Sequence, residues 1–225
     1  KLYSVLPADG VGDFTFSRGG TTGTSATRIN KDGLIETVAS GVSRLNYPLI
    51  DGVVNGCPSH LLEPSRLQLI PYSEDFENSD WTKNAGTTIT NNYATSPDGT
   101  LNASRYLGTG ASGLGDKFTL SSASYTLSFY VKSNTSENQF CALLGDSSQS
   151  SGDLLVTTEW KRISHTFTGS GLSNKTNGIF RDSSNNDIDI LIYGAQLEQG
   201  SYPTSYIPNY GTSAGITRVA ETATG

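Results

Sequence analysis

Residues 125–132 read Tyr-Thr-Leu-Ser-Phe-Tyr-Val-Lys and alternate between large apolar and more polar side chains. Successive side chains of a β-strand point to opposite faces, so this alternation predicts a strand with one apolar face. The apolar face carries Tyr125, Leu127, Phe129 and Val131, and the other face carries Thr126, Ser128, Tyr130 and Lys132. The stretch is therefore expected to form a half-buried strand.

Residues 187–198 form the most aliphatic segment of the chain, with apolar side chains on both faces of a strand. Such a strand is covered on both sides, which predicts a central position in a sheet. Residues 161–168 are a further strand candidate, and residues 118–120 and 140–144 are shorter ones. Clusters of Gly, Asn, Asp and Pro separate these segments at short intervals, which is typical of a β-sandwich or barrel.

The composition favours an all-β protein and excludes two classes of partner. The 225 residues include 30 Ser, 26 Thr and 25 Gly, which disfavour helix interiors. Eleven Tyr, eight Phe and two Trp supply enough bulky apolar surface for a core. A net charge of −6 without a Lys/Arg cluster excludes an electrostatic footprint for nucleic acid or anionic lipid. The longest apolar stretch, residues 190–193, is too short to cross a membrane.

Three parts are expected along the chain. Residues 1–67 are Gly-rich, with tight turns expected at Gly19-Gly20, Asp32-Gly33, Asp51-Gly52 and Asn55-Gly56 between short apolar pairs. This predicts an extended β-hairpin segment lying on the main domain or on a neighbouring subunit. Residues 68–210 hold the strand candidates, and residues 211–225 are typical of a linker or docking tail. The absence of Met favours a processed product or a piece of a longer chain. Cys57 and Cys141 either pair or remain thiols.

Three segments resemble sequences that recur in tail-fibre and other appendage proteins of bacteriophages and prophages. They are residues 14–47 with Phe-Thr-Phe-Ser-Arg and Ser-Arg-Leu-Asn-Tyr, residues 61–83 with Leu-Leu-Glu-Pro-Ser-Arg and Ile-Pro-Tyr-Ser-Glu-Asp-Phe, and residues 193–218 with Tyr-Gly-Ala-Gln-Leu-Glu and Tyr-Pro-Thr-Ser-Tyr-Ile-Pro. Leu67 and Gln68 depart from that family, which more often has a Thr-Asn pair there. The resemblance implies a jelly-roll β-sandwich, similar to that of carbohydrate-binding modules, on a virion structural protein.

The reactive side chains form no catalytic signature. His60 and His165 have no Cys or acidic cluster at ligand spacing, so structural roles are expected. No Gly-x-Ser-x-Gly elbow is followed by a suitable Asp and His. Glu74, Asp75 and Glu77 are clustered, but neighbours in an extended chain point in opposite directions, which favours solvated loop acids over a glycosidase pair. We therefore expect no enzyme activity.

Two further acidic residues, Glu63 and Glu198, lie in apolar motifs. This favours burial of one of them against Arg66 or Arg218, as a structural ion pair. Several aromatic residues are also expected to be structural rather than ligand-binding. Trp81 and Trp160 are expected in the core, and Tyr202, Tyr206 and Tyr210 are expected to pack the C-terminal segment, without helix, onto the sandwich or a partner chain.

Sugar binding needs an exposed aromatic face for the C–H side of a pyranose ring, with polar groups beside it for the hydroxyls. The candidates are aromatic rings outside the clear core alternation, with amide or guanidinium groups nearby in sequence. The predicted carbohydrate-binding residues are Tyr93, Tyr106, Tyr130, Phe180, Asn92, Arg105 and Arg181, with Asn91 and Asn185 beside them.

Residues 182–189 read Asp-Ser-Ser-Asn-Asn-Asp-Ile-Asp and offer three carboxylates and two amide oxygens. Hard cations take six to eight oxygen ligands, so Asp182, Asp187 and Asp189 are candidate ligands of a structural calcium ion. The similarity to jelly-roll sugar-binding modules, which often hold calcium, adds to this hypothesis. The segment lacks the Gly and the terminal Glu of an EF-hand loop, and an ordinary polar turn is the default interpretation.

These observations lead to one functional hypothesis and two alternatives. The first is a non-catalytic domain of a phage tail or head fibre that binds host-surface or environmental polysaccharide, located on the extracellular virion. Its expected partners are glycans and other virion proteins, with a homotrimer as one assembly, and neither nucleic acid nor membrane insertion is expected. The alternatives are a purely structural assembly subunit without sugar binding and a polysaccharide depolymerase.

Overall fold

The computed structural model describes residues 15–18, 26–50, 52–184 and 186–224. All regular elements in these ranges are β-strands. The first eight are β1 (Thr15–Arg18), β2 (Thr27–Ile29), β3 (Ile35–Thr37), β4 (Leu45–Asn46), β5 (Leu49–Ile50), β6 (Val53–Val54), β7 (Ser59–His60) and β8 (Arg66–Gln68). The next seven are β9 (Thr82–Lys83), β10 (Thr87–Ala94), β11 (Ala103–Gly108), β12 (Gly113–Phe118), β13 (Ser124–Ser133), β14 (Gln139–Gly145) and β15 (Gln149–Ser150). The last six are β16 (Leu154–Val156), β17 (Lys161–Thr168), β18 (Lys175–Arg181), β19 (Ile188–Gln199), β20 (Ile216–Arg218) and β21 (Glu221–Thr224).

Two antiparallel sheets pack face to face and form the main body. One sheet has the strand order β10-β11-β19-β13-β17, and the second has the order β15-β14-β18-β12-β9 with β16 also paired to β14. The chain from β11 to β14 pairs with the returning chain from β16 to β19, because β11 pairs with β19, β12 with β18, β13 with β17 and β14 with β16. This double-hairpin pairing is the jelly-roll arrangement, so the predicted fold class is confirmed. Within the described ranges, no helix has the length and apolar character needed to cross a membrane.

The core lies between the two sheets and follows the alternation seen in the sequence. Leu127 and Phe129 of β13 and Ile190 of β19 are fully buried there, together with Leu143 of β14 and Ile179 of β18. β19 is the middle strand of its sheet, between β11 and β13, as its aliphatic sequence predicts. The prediction for residues 118–120 is wrong in position, because the strand there is β12 and it ends at residue 118.

The central part of the outer face of the five-stranded sheet is covered as well. Thr126 and Ser128 on this face of β13 are fully buried, so the expectation that β13 is half-buried is wrong. The Thr126 hydroxyl donates to the Gly200 carbonyl at 2.9 Å, and the Ser128 hydroxyl accepts a hydrogen bond from Arg162 at 2.9 Å. Other parts of the chain therefore replace solvent over this face.

One of these parts is the N-terminal layer, which we define as residues 26–68. It contains the hairpins β2–β3 and β5–β6 and the strand pair β4–β7. Ile35 of β3 packs against Tyr193 and Tyr206, and its backbone N–H donates to the Pro97 carbonyl at 2.9 Å. The layer thus lies across the tyrosines of the sheet and has few buried apolar residues of its own.

The sequence predicted tight turns in this region. Asp32-Gly33 lies in the loop of the β2–β3 hairpin, and Gly52 lies in the two-residue loop of the β5–β6 hairpin. The turn at residues 32–33 is confirmed. Gly52 is among the described residues, whereas Asp51 lies outside them. The start of the first phage-like segment at Phe14 and the turn predicted at residues 19–20 also lie outside the described residues.

The two ends of the described chain pair with each other and with the N-terminal layer. β1 pairs with β21, and β20 pairs with β8. Residues 216–218 and 221–224 therefore lie on this chain as strands. The proposed division at residues 67 and 210 stays a prediction.

A buried ion-pair network joins the N-terminal layer to the C-terminal strands. Arg44 and Arg218 are both fully buried. Arg44 pairs with Glu63 at 2.7 Å and with Glu221, while Arg218 pairs with Glu63 at 3.0 Å. The prediction of a buried structural ion pair is confirmed for Glu63 and Arg218. Glu198, also fully buried, lies 3.5 Å from Arg66, in line with the same hypothesis.

The network holds its carboxylates in the ionised form. Burial raises the pKa of Glu63, but the Arg218 charge and hydrogen bonds from Ser205 outweigh burial, and the net pKa lies below the ordinary value of 4.5. Burial also raises the pKa of Glu221. Hydrogen bonds from Arg44 and Arg18, together with the Arg44 charge, outweigh burial, so the net pKa of Glu221 is lowered as well. A lowered folded-state pKa contributes stability that is present above the unfolded value and lost as the pH falls through the folded one.

We predict that Arg44→Met destabilises the protein by about 3 to 5 kcal/mol at pH 7, because it leaves Glu63 and Glu221 buried without their shared cation. Urea unfolding measures the change. The loss in free energy of unfolding should become smaller below pH 4.5, where Glu63 and Glu221 take up protons. Lys31→Met is the control, because Lys31 pairs with Asp32 on the surface and its loss should cost less than about 1 kcal/mol. Equal effects of the two changes would contradict this account of the network.

Candidate functional site

The candidate site is an open cleft of about 540 Å³ at one edge of the sandwich. Its walls come from residues 72–77, which connect β8 to β9, from β10, from the turn before β11 and from residues 209–210. Two tyrosine rings, three carboxylates and four asparagine amides line it. This mixture of aromatic faces and hydrogen-bonding groups is the chemistry that a sugar requires.

The aromatic part of the cleft is formed by Tyr210 and Tyr72. The Tyr210 side chain is 72% exposed, whereas Tyr72 is half-buried and packs against the core. Their backbones are joined by an antiparallel bridge, and the Tyr72 carbonyl accepts a hydrogen bond from the Trp81 indole at 2.9 Å. Gly211 has φ +115°, and a Cβ there would lie 3.3 Å from the Tyr72 ring. Glycine at this position therefore lets the chain turn closely around Tyr72.

Glu74 holds the tyrosines of this region together. Its Oε1 accepts hydrogen bonds from the hydroxyls of Tyr206 at 2.8 Å, Tyr193 at 3.1 Å and Tyr210 at 3.2 Å. Its Oε2 accepts a hydrogen bond from the Asn102 amide at 3.2 Å. The expectation that Glu74 is a solvated loop acid is wrong, because its carboxyl group is turned into this polar cluster.

Glu74 and a second carboxyl group, Asp98, share the Tyr193 hydroxyl. That hydroxyl lies 3.1 Å from Glu74 Oε1 and 3.1 Å from Asp98 Oδ2, but it has a single proton to donate. Burial raises the pKa of Glu74 above its ordinary value, against the tyrosine hydrogen bonds and together with the Asp98 charge. Burial also opposes ionisation of Asp98, but hydrogen bonds from Ser96 and Thr100 lower its pKa overall. Of the two groups, Glu74 takes up a proton first.

The polar floor of the cleft is fixed by Asn91. Its side-chain amide donates to Asp75 Oδ1 at 2.6 Å, and its backbone N–H donates to Glu77 Oε1 at 3.3 Å. Its own side-chain oxygen accepts a hydrogen bond from the Ser104 hydroxyl at 2.7 Å. Asp75 and Glu77 are exposed, so each keeps acceptor capacity for a ligand.

The sequence-predicted carbohydrate-binding residues are only in part brought together. Asn92 lines the cleft, as does its neighbour Asn91. Tyr93 and Arg105 contact each other, with the guanidinium 5.3 Å from the ring centroid, but neither lines the cleft. Tyr106 is fully buried in the core, so the prediction that its ring lies outside the core is wrong.

The remaining predicted residues lie elsewhere. Tyr130 is half-buried under the N-terminal layer, where its ring contacts Arg162, Tyr193 and Tyr206. Phe180 and Arg181 lie at the end of β18 in the second sheet. Phe180 packs over Gly113 of the neighbouring strand, where a Cβ would be 2.1 Å from the ring. Asn185 lies outside the described residues.

Two of the three residues proposed for calcium have protein partners. Asp182 accepts hydrogen bonds from the backbone and the side chain of Asn186, at 3.1 and 2.9 Å. Asp189 forms a two-point ion pair with Arg105, both contacts at 2.8 Å, and Asp187 is exposed. In the described part of the chain, no group of three or more His, Cys, Asp or Glu side chains is arranged to hold a metal ion. Calcium at this turn stays a prediction.

The histidines and cysteines lie apart from the cleft. His60 stacks on Phe16, with ring centroids 5.1 Å apart, and is hydrogen-bonded to Ser43. His165 contacts the Gln149 carbonyl at 2.9 Å. Cys57 is exposed and Cys141 is buried, and both are free thiols.

The cleft residues Tyr72, Glu74 and Tyr210 were not predicted as ligand-binding residues. They come from irregular segments without strand periodicity, so alternation could not assign them to a face. One signal was available, because Tyr72 follows Pro71 and Tyr210 closely follows Pro208. Proline fixes extended backbone at loop positions, where tyrosines are presented at the surface. Trp81, by contrast, is buried as predicted, and so is Tyr206.

Comparison with known proteins finds solved structures with low similarity and no matching family. The sequence matches no protein-family model and no curated protein sequence. Among solved structures, the CBM22-1 xylan-binding domain of Paenibacillus barcinonensis Xyn10C is similar, with 13% identity, a TM-score of 0.45 and coverage of 61% of this chain and 94% of that one.

Two other solved structures show similarity at the same level. The second N-terminal cellulose-binding domain of Cellulomonas fimi β-1,4-glucanase C has 15% identity and a TM-score of 0.40, covering 63% of this chain and 100% of that one. The enzymatically active domain of bacteriophage CBA120 tailspike protein 4 has 13% identity and a TM-score of 0.37, covering 58% of this chain and 21% of that one.

We predict that the Glu74 carboxyl titrates above the ordinary glutamate pKa of 4.5, because it is buried beside Asp98. Carboxyl-carbon NMR measures this directly. A raised folded-state pKa contributes stability that is present at low pH and lost as the pH rises through the folded value. Glu74→Gln mimics the protonated group and does not lose this stability. The free energy of unfolding of the variant should therefore rise relative to that of the parent protein as the pH increases from 4 to 7. Glu137→Gln on an exposed loop is the control, and titration of Glu74 at or below 4.5 would refute the prediction.

Proposed function

We propose that the protein is a non-catalytic polysaccharide-binding domain and that the cleft between Glu74 and Tyr210 is its binding site. The observation that carries this proposal is the exposed Tyr210 ring beside a floor of asparagine amides and carboxylates. A pyranose ring stacks its C–H face on an aromatic ring and directs its hydroxyls to such groups. The cleft offers both at once, on a rigid sandwich edge.

Preorganisation supports binding at this site. The Tyr210 hydroxyl is tied to Glu74, and Asn91 is held by Ser104 and Asp75 before any ligand arrives. Groups that are already ordered lose less conformational entropy on binding, so more of the contact energy appears as affinity. The cleft is open to solvent, which suits a polymeric ligand.

The carboxylates of the cleft favour recognition over hydrolysis. Glycosidases place two carboxyl groups on opposite sides of the scissile bond, about 5 to 9 Å apart. Here Glu74 is engaged by three tyrosine hydroxyls, while Asp75 and Glu77 lie on the same short loop segment. A polysaccharide depolymerase is the alternative, and release of reducing sugar from a bound polysaccharide would establish it.

We further infer that the domain is carried on a phage tail or head fibre and faces a host-surface or environmental polysaccharide. The support is the resemblance of three segments to phage appendage proteins, two of which include cleft residues. Repetition of weak sites on one particle raises avidity by about 10² to 10⁴. Native mass measurement tests the expected homotrimer. A purely structural assembly subunit would show no glycan binding in any assay.

We predict that Tyr210→Ala weakens polysaccharide binding about tenfold or more, because it removes the exposed stacking surface. Affinity gel electrophoresis against a panel of soluble polysaccharides measures the retardation. Tyr202→Ala is the matched control, because Tyr202 is 50% exposed but lies against Arg66, away from the cleft lining.

Two outcomes would count against this site. Equal loss of retardation in the Tyr202 and Tyr210 variants would mean that binding depends on general surface aromatics and not on the cleft. Lack of retardation by every polysaccharide in the parent protein would favour the assembly subunit. Circular dichroism of both variants checks that the sandwich is intact.

A further inference from the structure

The charge pattern of the cleft determines which glycans it can accept, provided that the cleft is the glycan site proposed above. Three carboxyl groups line it, from Glu74, Asp75 and Glu77. Among the described residues of its lining there is no Lys or Arg. The lining therefore combines hydrogen-bond acceptors and negative charge with neutral donors from amides and tyrosines.

The nearby lysine keeps its positive charge but forms no ion pair with the cleft carboxylates in the described part of the chain. Lys83 lies beside the acidic loop, but its ammonium group donates to the backbone carbonyls of Glu77, Asn78 and Trp81, at 3.2, 3.3 and 3.3 Å. Arg105 of the neighbouring strand is likewise occupied, by its two-point ion pair with Asp189. Neither cation is directed at the cleft carboxylates.

The two exposed carboxylates have capacity to spare. A carboxylate has about four acceptor positions on its two oxygens. Asp75 accepts one hydrogen bond, from the Asn91 side chain, and Glu77 accepts one, from the Asn91 backbone. A ligand ammonium or hydroxyl can use the free positions, whereas a ligand carboxylate or sulfate meets like charge.

We propose that this cleft discriminates between glycans by charge, accepting hexosamine units with a free ammonium group best, neutral sugars next and uronate or sulfated units least. The order follows from the acidic floor that surrounds the Tyr210 stacking surface. The proposed order assigns a substrate class to the site. Contacts with the sugar ring, and not the charge, determine linkage and stereochemistry. The preference weakens with added salt, because exposed charges are screened.

The first experiment measures the local charge without requiring sugar binding. Solvent paramagnetic relaxation by a cationic and an anionic nitroxide of the same size reports the potential at each backbone amide. We expect the cationic probe to accumulate at Asn91 and Asn92. Asp75→Asn/Glu77→Gln should remove this bias, and Glu137→Gln/Glu159→Gln, which deletes two exposed acids outside the cleft, should leave it unchanged. Equal relaxation by both probes in the parent protein would overturn the proposal.

The second experiment measures ligand preference with three matched probes, methyl β-glucosaminide, methyl β-glucoside and methyl β-glucuronide. NMR titration of the cleft signals gives their affinities. We expect the amine to bind at least about fivefold more tightly than the neutral sugar, and the uronide most weakly. The Asp75/Glu77 variant should bind all three about equally.

The outcomes separate this inference from the proposed function. If the glycosides bind at the cleft without the expected order, the charge inference fails and the glycan site stands. If the cleft shows the negative potential but none of the three glycosides and no polysaccharide of the panel shifts its signals, the glycan site fails and the substrate class fails with it. Loss of folding in the double variant does not affect the test, because the parent protein alone gives both the potential and the order.

Discussion

The structure depends on two buried arginines, Arg44 and Arg218, that meet around Glu63 and Glu221. The N-terminal layer is too thin to build a core, so its burial against the sandwich cannot rest on apolar contacts alone. Burying charges is costly unless each is paired, and here every charge of the group has a partner from another segment. The network would leave at least one buried charge without its partner if the layer or the C-terminal strands moved away. It therefore specifies where the layer and the C-terminal strands lie.

That placement decides which surface is free for recognition. The N-terminal layer covers the tyrosines on the outer face of the five-stranded sheet, and Tyr130 becomes part of an internal aromatic cluster. The part of the sheet face that the N-terminal layer covers is consequently not available to a polymer. The exposed ring and the free amides lie at the edge instead, where residues 72–77 and 209–210 meet β10. The position of the cleft is thus a consequence of the covering layer.

Much of the fold was predictable from the sequence, whereas most of the site was not. Alternation identified β13 and β17 because strands with one buried face impose a period of two on their side chains, and a run of aliphatic residues on both faces identified the central β19. The same rule failed for Tyr106, because its neighbours on the buried face of β11 are Ser104 and Gly108, so the strand buries one face without an apolar alternation in its sequence. The cleft combines four segments, three of them irregular and far apart in sequence. Their proximity depends on long-range pairing such as the Tyr72–Tyr210 bridge, which no local pattern encodes.

Tyrosine connects the covering layer to the cleft. Tyr193 and Tyr206 present their rings to Ile35 of the N-terminal layer and their hydroxyls to Glu74. A tyrosine can do this because its apolar body and its polar tip are satisfied by different surroundings. Packing of the layer therefore fixes the rings, the rings fix the hydroxyls, and the hydroxyls fix the carboxyl group that also receives the Tyr210 hydroxyl. The orientation of the exposed ring in the cleft is in this way coupled to the ion pairs that hold the layer in place.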